Sequence, residues 1–139
     1  MPAELNVRSA VLCDDVRIEN NGKIILIGVY SGNVAVPVTP FVLAVHVWIN
    51  LSPQVPGEIA VNLRISFQGK PIVSGQGTIT AVDTDDVVIL LPKFLVEGDG
   101  DGELLVEMQE EDGSWSVLLR KKIVKRSDLF PTTPTGSSG

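Results

Sequence analysis

The run Ile59-Ala60-Val61-Asn62-Leu63-Arg64-Ile65-Ser66-Phe67-Gln68 decides the fold. In an extended chain successive side chains point to opposite faces. Ile59, Val61, Leu63, Ile65 and Phe67 therefore make one dry face, and Asn62, Arg64, Ser66 and Gln68 a wet one. A helix would scatter the same five apolar residues around its circumference. This segment is a half-buried strand.

Working outward, the same reading predicts strands at Leu5–Cys13, Val16–Asn20, Lys23–Tyr30, Asn33–Val36, Phe41–Leu51, Glu58–Gln68, Ile72–Val82, Val87–Leu91, Glu103–Glu111 and Ser114–Val124. No window carries a convincing 3.6-residue apolar period, so little or no helix is expected. Prolines 37, 40, 53, 56, 71 and 92 fall at the breaks, where they interrupt no central ladder. The expected fold is all-β: an antiparallel two-sheet β-sandwich of immunoglobulin-like layout, with a small β-barrel as the alternative.

Two turns set local register. Asn21-Gly22 and Asp112-Gly113 are the preferred pairs of two-residue type I′ hairpins. Taking Asp112-Gly113 as the turn opposes Glu110 to Trp115, Met108 to Val117, Val106 to Leu119 and Glu103 to Lys122. Trp115 and Val117 are then expected to point inward. Lys23–Tyr30 is apolar on both faces, which predicts a strand central in a sandwich or covered on its second side by another element or subunit.

A chain of 139 residues with 44% apolar and 20% charged residues forms one domain with a real core, expected over residues 1–128. Aromatics are only 5%, so the core must rest on Val, Ile and Leu. Residues 129–139, rich in Pro, Thr, Ser and Gly, are expected to be a flexible tail. The net charge of −6 opposes nucleic-acid binding, which depends on Lys and Arg neutralising phosphates. The basic run Arg120–Arg126 has an acidic hairpin partner, so it reads as charge compensation within a sheet. The amino terminus has no basic segment followed by an apolar stretch, and Phe41–Ile49 is too short to span a bilayer. A cytoplasmic protein with no membrane partner is expected.

Candidate chemistry is sparse. The loop Glu97-Gly98-Asp99-Gly100-Asp101-Gly102-Glu103 alternates acids with glycines, and Asp99, Asp101 and Glu103 are its candidate calcium ligands. As an EF-hand it fails, because position twelve falls on Met108 and a strand follows where a helix is required. The loop reads as solvated, with no metal. Asp14-Asp15 offers two carboxylates, but neighbours in a strand point apart, and Asp15 pairs more naturally with Arg17 two residues on. Cys13 and His46 are each the only one of their kind, and a Cys–His couple would need a third group to orient it. The plain expectation is a buried thiol at a strand end and a half-buried histidine on the face of Val42, Ala44 and Trp48. No P-loop, dinucleotide fingerprint or HExxH motif is present, so no cofactor is expected.

The block Leu12-Cys13-Asp14-Asp15-Val16-Arg17-Ile18-Glu19-Asn20-Asn21-Gly22-Lys23, running into Leu26-Ile27-Gly28-Val29-Tyr30, resembles the opening of an uncharacterised family of small bacterial proteins. Their pattern is L-C-D-D-x-R, then G-K, then L-I-G-x-Y, followed by a β-rich domain. The resemblance covers about residues 11–30. It implies a single β-domain and carries no catalytic residue.

Two functions follow from these readings. The first is a non-catalytic binding or assembly module that meets a protein partner or a second copy of itself, supported by surplus apolar side chain at a mean hydropathy of +0.26. The second is an enzyme or small-ligand carrier with a site built around Asp14, Asp15 and His46.

Overall fold

The alternation at residues 59–67 is realised in full. β5 (Gly57–Phe67) buries Ile59, Val61, Leu63, Ile65 and Phe67, and turns Asn62, Arg64 and Ser66 to the other face. The computed structural model describes residues 5–126, and among these there is no helix. The tail expected at 129–139 lies outside the described residues.

The remaining strands are β1 (Leu5–Ile18), β2 (Ile24–Val29), β3 (Val34–Val36), β4 (Phe41–Pro53), β6 (Lys70–Ala81), β7 (Val87–Leu90), β8 (Phe94–Gly98), β9 (Gly102–Gln109) and β10 (Trp115–Lys125). They form two five-stranded sheets. One runs β2-β1-β4-β7, with β8 also on β4; the other runs β3-β10-β9-β5-β6. All pairs are antiparallel except β3 with β10, which is parallel. One core, rich in Val, Ile and Leu, draws on both sheets: Leu12, Val45, Val47, Ile49 and Val96 from the first, and Leu63, Ile65, Leu104, Val106 and Ile123 from the second.

Two expected strands are one. Chain expected to break at Asp14 runs straight through as β1, because each carboxylate finds a local partner: Asp14 accepts from the Tyr30 hydroxyl, and Asp15 Oδ1 accepts from the Val16 amide at 2.9 Å. β8 is a strand where a loop was expected. Phe94 and Val96 face the core while Leu95 and Glu97 face out, a period of two hidden between Pro92 and the acidic loop.

Both hairpin turns differ from expectation in the same way. At each, an amide–carbonyl pair closes the loop (Glu19 N to Lys23 O, 2.8 Å; Glu110 N to Ser114 O, 2.7 Å). The glycine inside it also bonds back, Gly22 N to Glu19 O and Gly113 N to Glu110 O. Gly22 and Gly113 have φ of 85° and 89°, whereas neither Asn21 nor Asp112 has positive φ. These are three-residue loops, a type I turn followed by a left-handed glycine, rather than type I′ pairs.

The extra residue shifts the register near the second turn by one. Trp115 lies opposite Gln109 and Val117 opposite Glu107. A bulge between Val117 and Leu119 then restores the expected pairs Val106–Leu119 and Glu103–Lys122. The inward placement of Trp115 and Val117 is thereby overturned: Val117 is 42% exposed, and Trp115 lies over Arg64 on the outer face.

Candidate functional site

A strand at a sheet edge presents unpaired backbone groups, and proteins guard such edges with short strands, charges, proline or polar outward residues. Among the described residues five strands stand at edges: β2, β3, β6, β7 and β8. β3, β7 and β8 have three, four and five residues. β6 is long but carries Lys70, Pro71, Ser74, Gln76, Thr78 and Thr80. β2, Ile24-Ile25-Leu26-Ile27-Gly28-Val29, has no charge, no proline and no side-chain hydroxyl. Only Gly28, with φ of 69°, breaks its regularity; its Cα sits against the Asp14 carboxylate, where a Cβ would collide.

β2 was expected to be central, or covered by another element or subunit. It is an edge strand, and the described residues leave its outer face exposed. Ile25, Ile27 and Val29 line its outer face at 43%, 40% and 51% exposure. Neither of the flanking regions covers it: β3 pairs with β10, and β7 and β8 pair with β4.

Beside this apolar stripe runs a polar one. In the β1–β2 register Asp15 faces Ile27 and Arg17 faces Ile25, while Cys13 lies between Val29 on one side and His46 on the other. Asp15 is the centre of the group. Its carboxylate lies 3.6 Å from Arg17 Nε, 3.8 Å from His46 Nε2 and 3.9 Å from Lys93 Nζ. The Val16 amide first, then the Lys93 and Arg17 charges, hold the Asp15 carboxyl below the usual carboxylate range. His46 Nδ1 is 3.1 Å from the Leu91 carbonyl, which can only accept, so Nδ1 carries the proton and Nε2 turns to Asp15.

The structure therefore gathers Cys13, Asp15 and His46, but Asp14 leaves them, facing the other side of the strand toward Tyr30. The expected Asp15–Arg17 pair is present. Burial, with the Asp14 charge, pushes the Cys13 thiol up, which keeps it protonated, whereas the nucleophile in thiol chemistry is the thiolate. Lys93 was missed by sequence reading, since nothing in the spacing brings β8's flank to β1.

The acidic loop has other uses for its carboxylates. Asp101 Oδ1 accepts from the Lys125 amide at 3.0 Å, and Glu103 Oε1 accepts from Arg120 Nη1 at 2.7 Å. Asp99 stays exposed. Among the described residues no three His, Cys, Asp or Glu side chains converge as metal donors. Nor is any helix there long and apolar enough to cross a membrane.

No family model matches the chain, and no curated protein matches it.

Proposed function

We propose that this chain is a non-catalytic assembly module that pairs β2 with β2 of a second copy. The observation that carries the reading is the unguarded edge: of the five edge strands, only β2 is both long enough to pair and free of charge, proline and polar outward residues. Antiparallel pairing of two β2 edges would satisfy their free backbone groups. It would also lay the two Ile25-Ile27-Val29 stripes side by side on one continuous face, covering apolar surface that each copy leaves wet.

The immunoglobulin-like layout belongs to this reading, supported by two sheets sharing one core. So does the absence of catalysis, supported by a Cys13 thiol that burial and the Asp14 charge keep protonated, where thiol chemistry needs the thiolate.

Light scattering at micromolar concentration tests it. The mass should approach that of two copies, more readily at high salt, because each copy carries a net charge of −6 that salt screens. Ile27→Lys should hold the mass at one copy without changing the circular dichroism spectrum. A single-copy mass for the native chain at every concentration and salt would remove the proposal.

A further inference from the structure

Along the opposite edge of the molecule, a cavity of about 230 Å³ opens between β6 of one sheet and β7 of the other. Its walls are mainly aliphatic, with Val61, Leu63, Val73, Ile79, Ile89 and Leu91, and Arg64, Gln76 and Thr78 are the polar residues on its border. We propose that this cavity binds the neutral aliphatic chain of a small molecule.

The room is made by two glycines. In the β5–β6 register Gly75 lies opposite Leu63 and Gly77 opposite Val61, so both stand at inward positions between Val73 and Ile79. Glycine inside a strand is ordinarily explained by a backbone conformation or by crowding. Neither applies. Gly75 and Gly77 have no positive φ, and a Cβ on either would meet nothing within 4 Å. Gly98 and Gly102 are the contrast, because a Cβ there would strike the Phe67 ring at 2.6 and 2.8 Å. A side chain at 75 or 77 would fit and would fill the gap, and a strand glycine costs about 0.5–1 kcal/mol against alanine. The sequence thus leaves open a space that it has the means to close.

Size and charge set the ligand class. An apolar cavity of about 150 Å³ takes up benzene, and a water-sized group occupies about 30 Å³, so this space suits roughly six to eight carbons. The charged residue at the cavity is Arg64, and its guanidinium is turned to the outer face, bonded to Glu107 Oε1 and stacked on Trp115. It offers nothing to a carboxylate, and the chain's net charge of −6 repels one. A neutral head group, by contrast, would meet the free N–H and C=O groups of the β6 edge that borders the opening.

The test is a nuclear magnetic resonance titration of the full chain with 1-hexanol and with hexanoate. Saturable shifts with 1-hexanol, confined to the β6–β7 side and centred on Ile79, Ile89 and Leu91, are expected. Hexanoate should bind at least about tenfold more weakly, since its charge finds no partner there. Gly77→Val should keep or raise the melting temperature while abolishing the hexanol response. No saturable response in the native chain, equal affinity for hexanoate, or undiminished binding in a folded Gly77→Val would each overturn the proposal. Should Gly77→Val fail to fold, Gly75→Ala takes its place, with weakened hexanol binding as the expected result and unchanged binding as the refutation. β2 and β7 lie at opposite edges of their sheet, so an Ile27→Lys chain that no longer pairs should still bind hexanol.

Discussion

Arg64 and Glu107 meet across the β5–β9 pair, with Arg64 Nε donating to Glu107 Oε1 at 3.0 Å. The same guanidinium lies 4.1 Å from the centre of the Trp115 ring, so one side chain ties three adjacent strands together. Glu107 is the buried member, at 8% exposure, and without Arg64 its carboxylate would be left with no cation in that pair. Arg64→Ala should lower unfolding stability by about 1–2 kcal/mol, the lower end for such a pair because the arginine is partly exposed. Arg64→Lys should recover less than half, since lysine has neither the fork nor the plane that stacks on an indole. Urea unfolding measures both; a loss under about 0.5 kcal/mol for Arg64→Ala would show the pair to be idle.

Gly102→Ala should destabilise the fold by about 1–3 kcal/mol, because its methyl group would press on Phe67, itself held edge-on to Phe41 at 5.8 Å. Gly75→Ala should be neutral or stabilising by up to about 1 kcal/mol. The opposite signs, read from denaturant midpoints, check the distinction between packed and unpacked glycines.

Asn50 Oδ1 is sealed from solvent and has no hydrogen-bond partner among the described residues. Asn50→Val removes that unmet acceptor and places a β-branched residue in a central strand, so it should raise stability by about 1 kcal/mol. A loss on urea unfolding would mean that the amide has a partner in solution.

Tyr30 is the sole tyrosine, so its ionisation can be followed alone. Burial first, then the hydrogen bond to Asp14 and that residue's charge, push its phenol well above the usual value. The folded state therefore favours the neutral ring. Its stabilising contribution is complete below the unfolded value of about 10 and declines as pH rises toward the folded one. Absorbance at the tyrosinate band should stay flat at about pH 11 while the fold persists, and Asp14→Asn should bring ionisation to lower pH. A native chain that titrates with the free amino acid would contradict the assignment.

Asp112 runs the other way. Its Oδ1 accepts from the Ser114 hydroxyl at 2.6 Å and the Ser114 amide at 2.9 Å, and these bonds lower its proton affinity. The contribution is present above the ordinary carboxylate value of about 3.9 and is lost as pH falls through the folded one. Thermal melts of the native chain and Asp112→Ala should thus differ at neutral pH and converge in acid.

How much of this was legible depended on whether neighbouring strands or solvent dictated each residue. Ile59 to Phe67 declared their face outright, because five apolar residues with a period of two admit one burial. The pairs Val106–Leu119 and Glu103–Lys122 match a two-residue turn only because the bulge between Val117 and Leu119 cancels the extra loop residue; Trp115, on the turn side of that bulge, could not be placed. A left-handed Gly113 suits a two- or a three-residue loop equally well, and one residue decides which face the indole takes. β8 was invisible because Phe94 and Val96 are only two inward residues beside a proline. Of the polar group, sequence gave the Asp15–Arg17 neighbours; the approach of His46 and Lys93 rests on β4 lying beside β1 and on the course of the chain between β7 and β8. Gly75 and Gly77 were in plain view as a Gly-x-Gly within a strand, but whether a glycine makes room or yields to a neighbour is known only when the facing residues are.

The uneven guarding of the sheet edges limits what edge-to-edge assembly can build. A fibre needs each subunit to offer two sticky borders, so that every addition exposes a fresh one. Among the described residues the bare border is single, and the remaining ones are short or polar. When two copies meet β2 to β2, both bare borders are consumed and none is left for a third. The proposed pair would be a terminus as well as a product, and would let the chain carry an apolar, unprotected strand without becoming a seed.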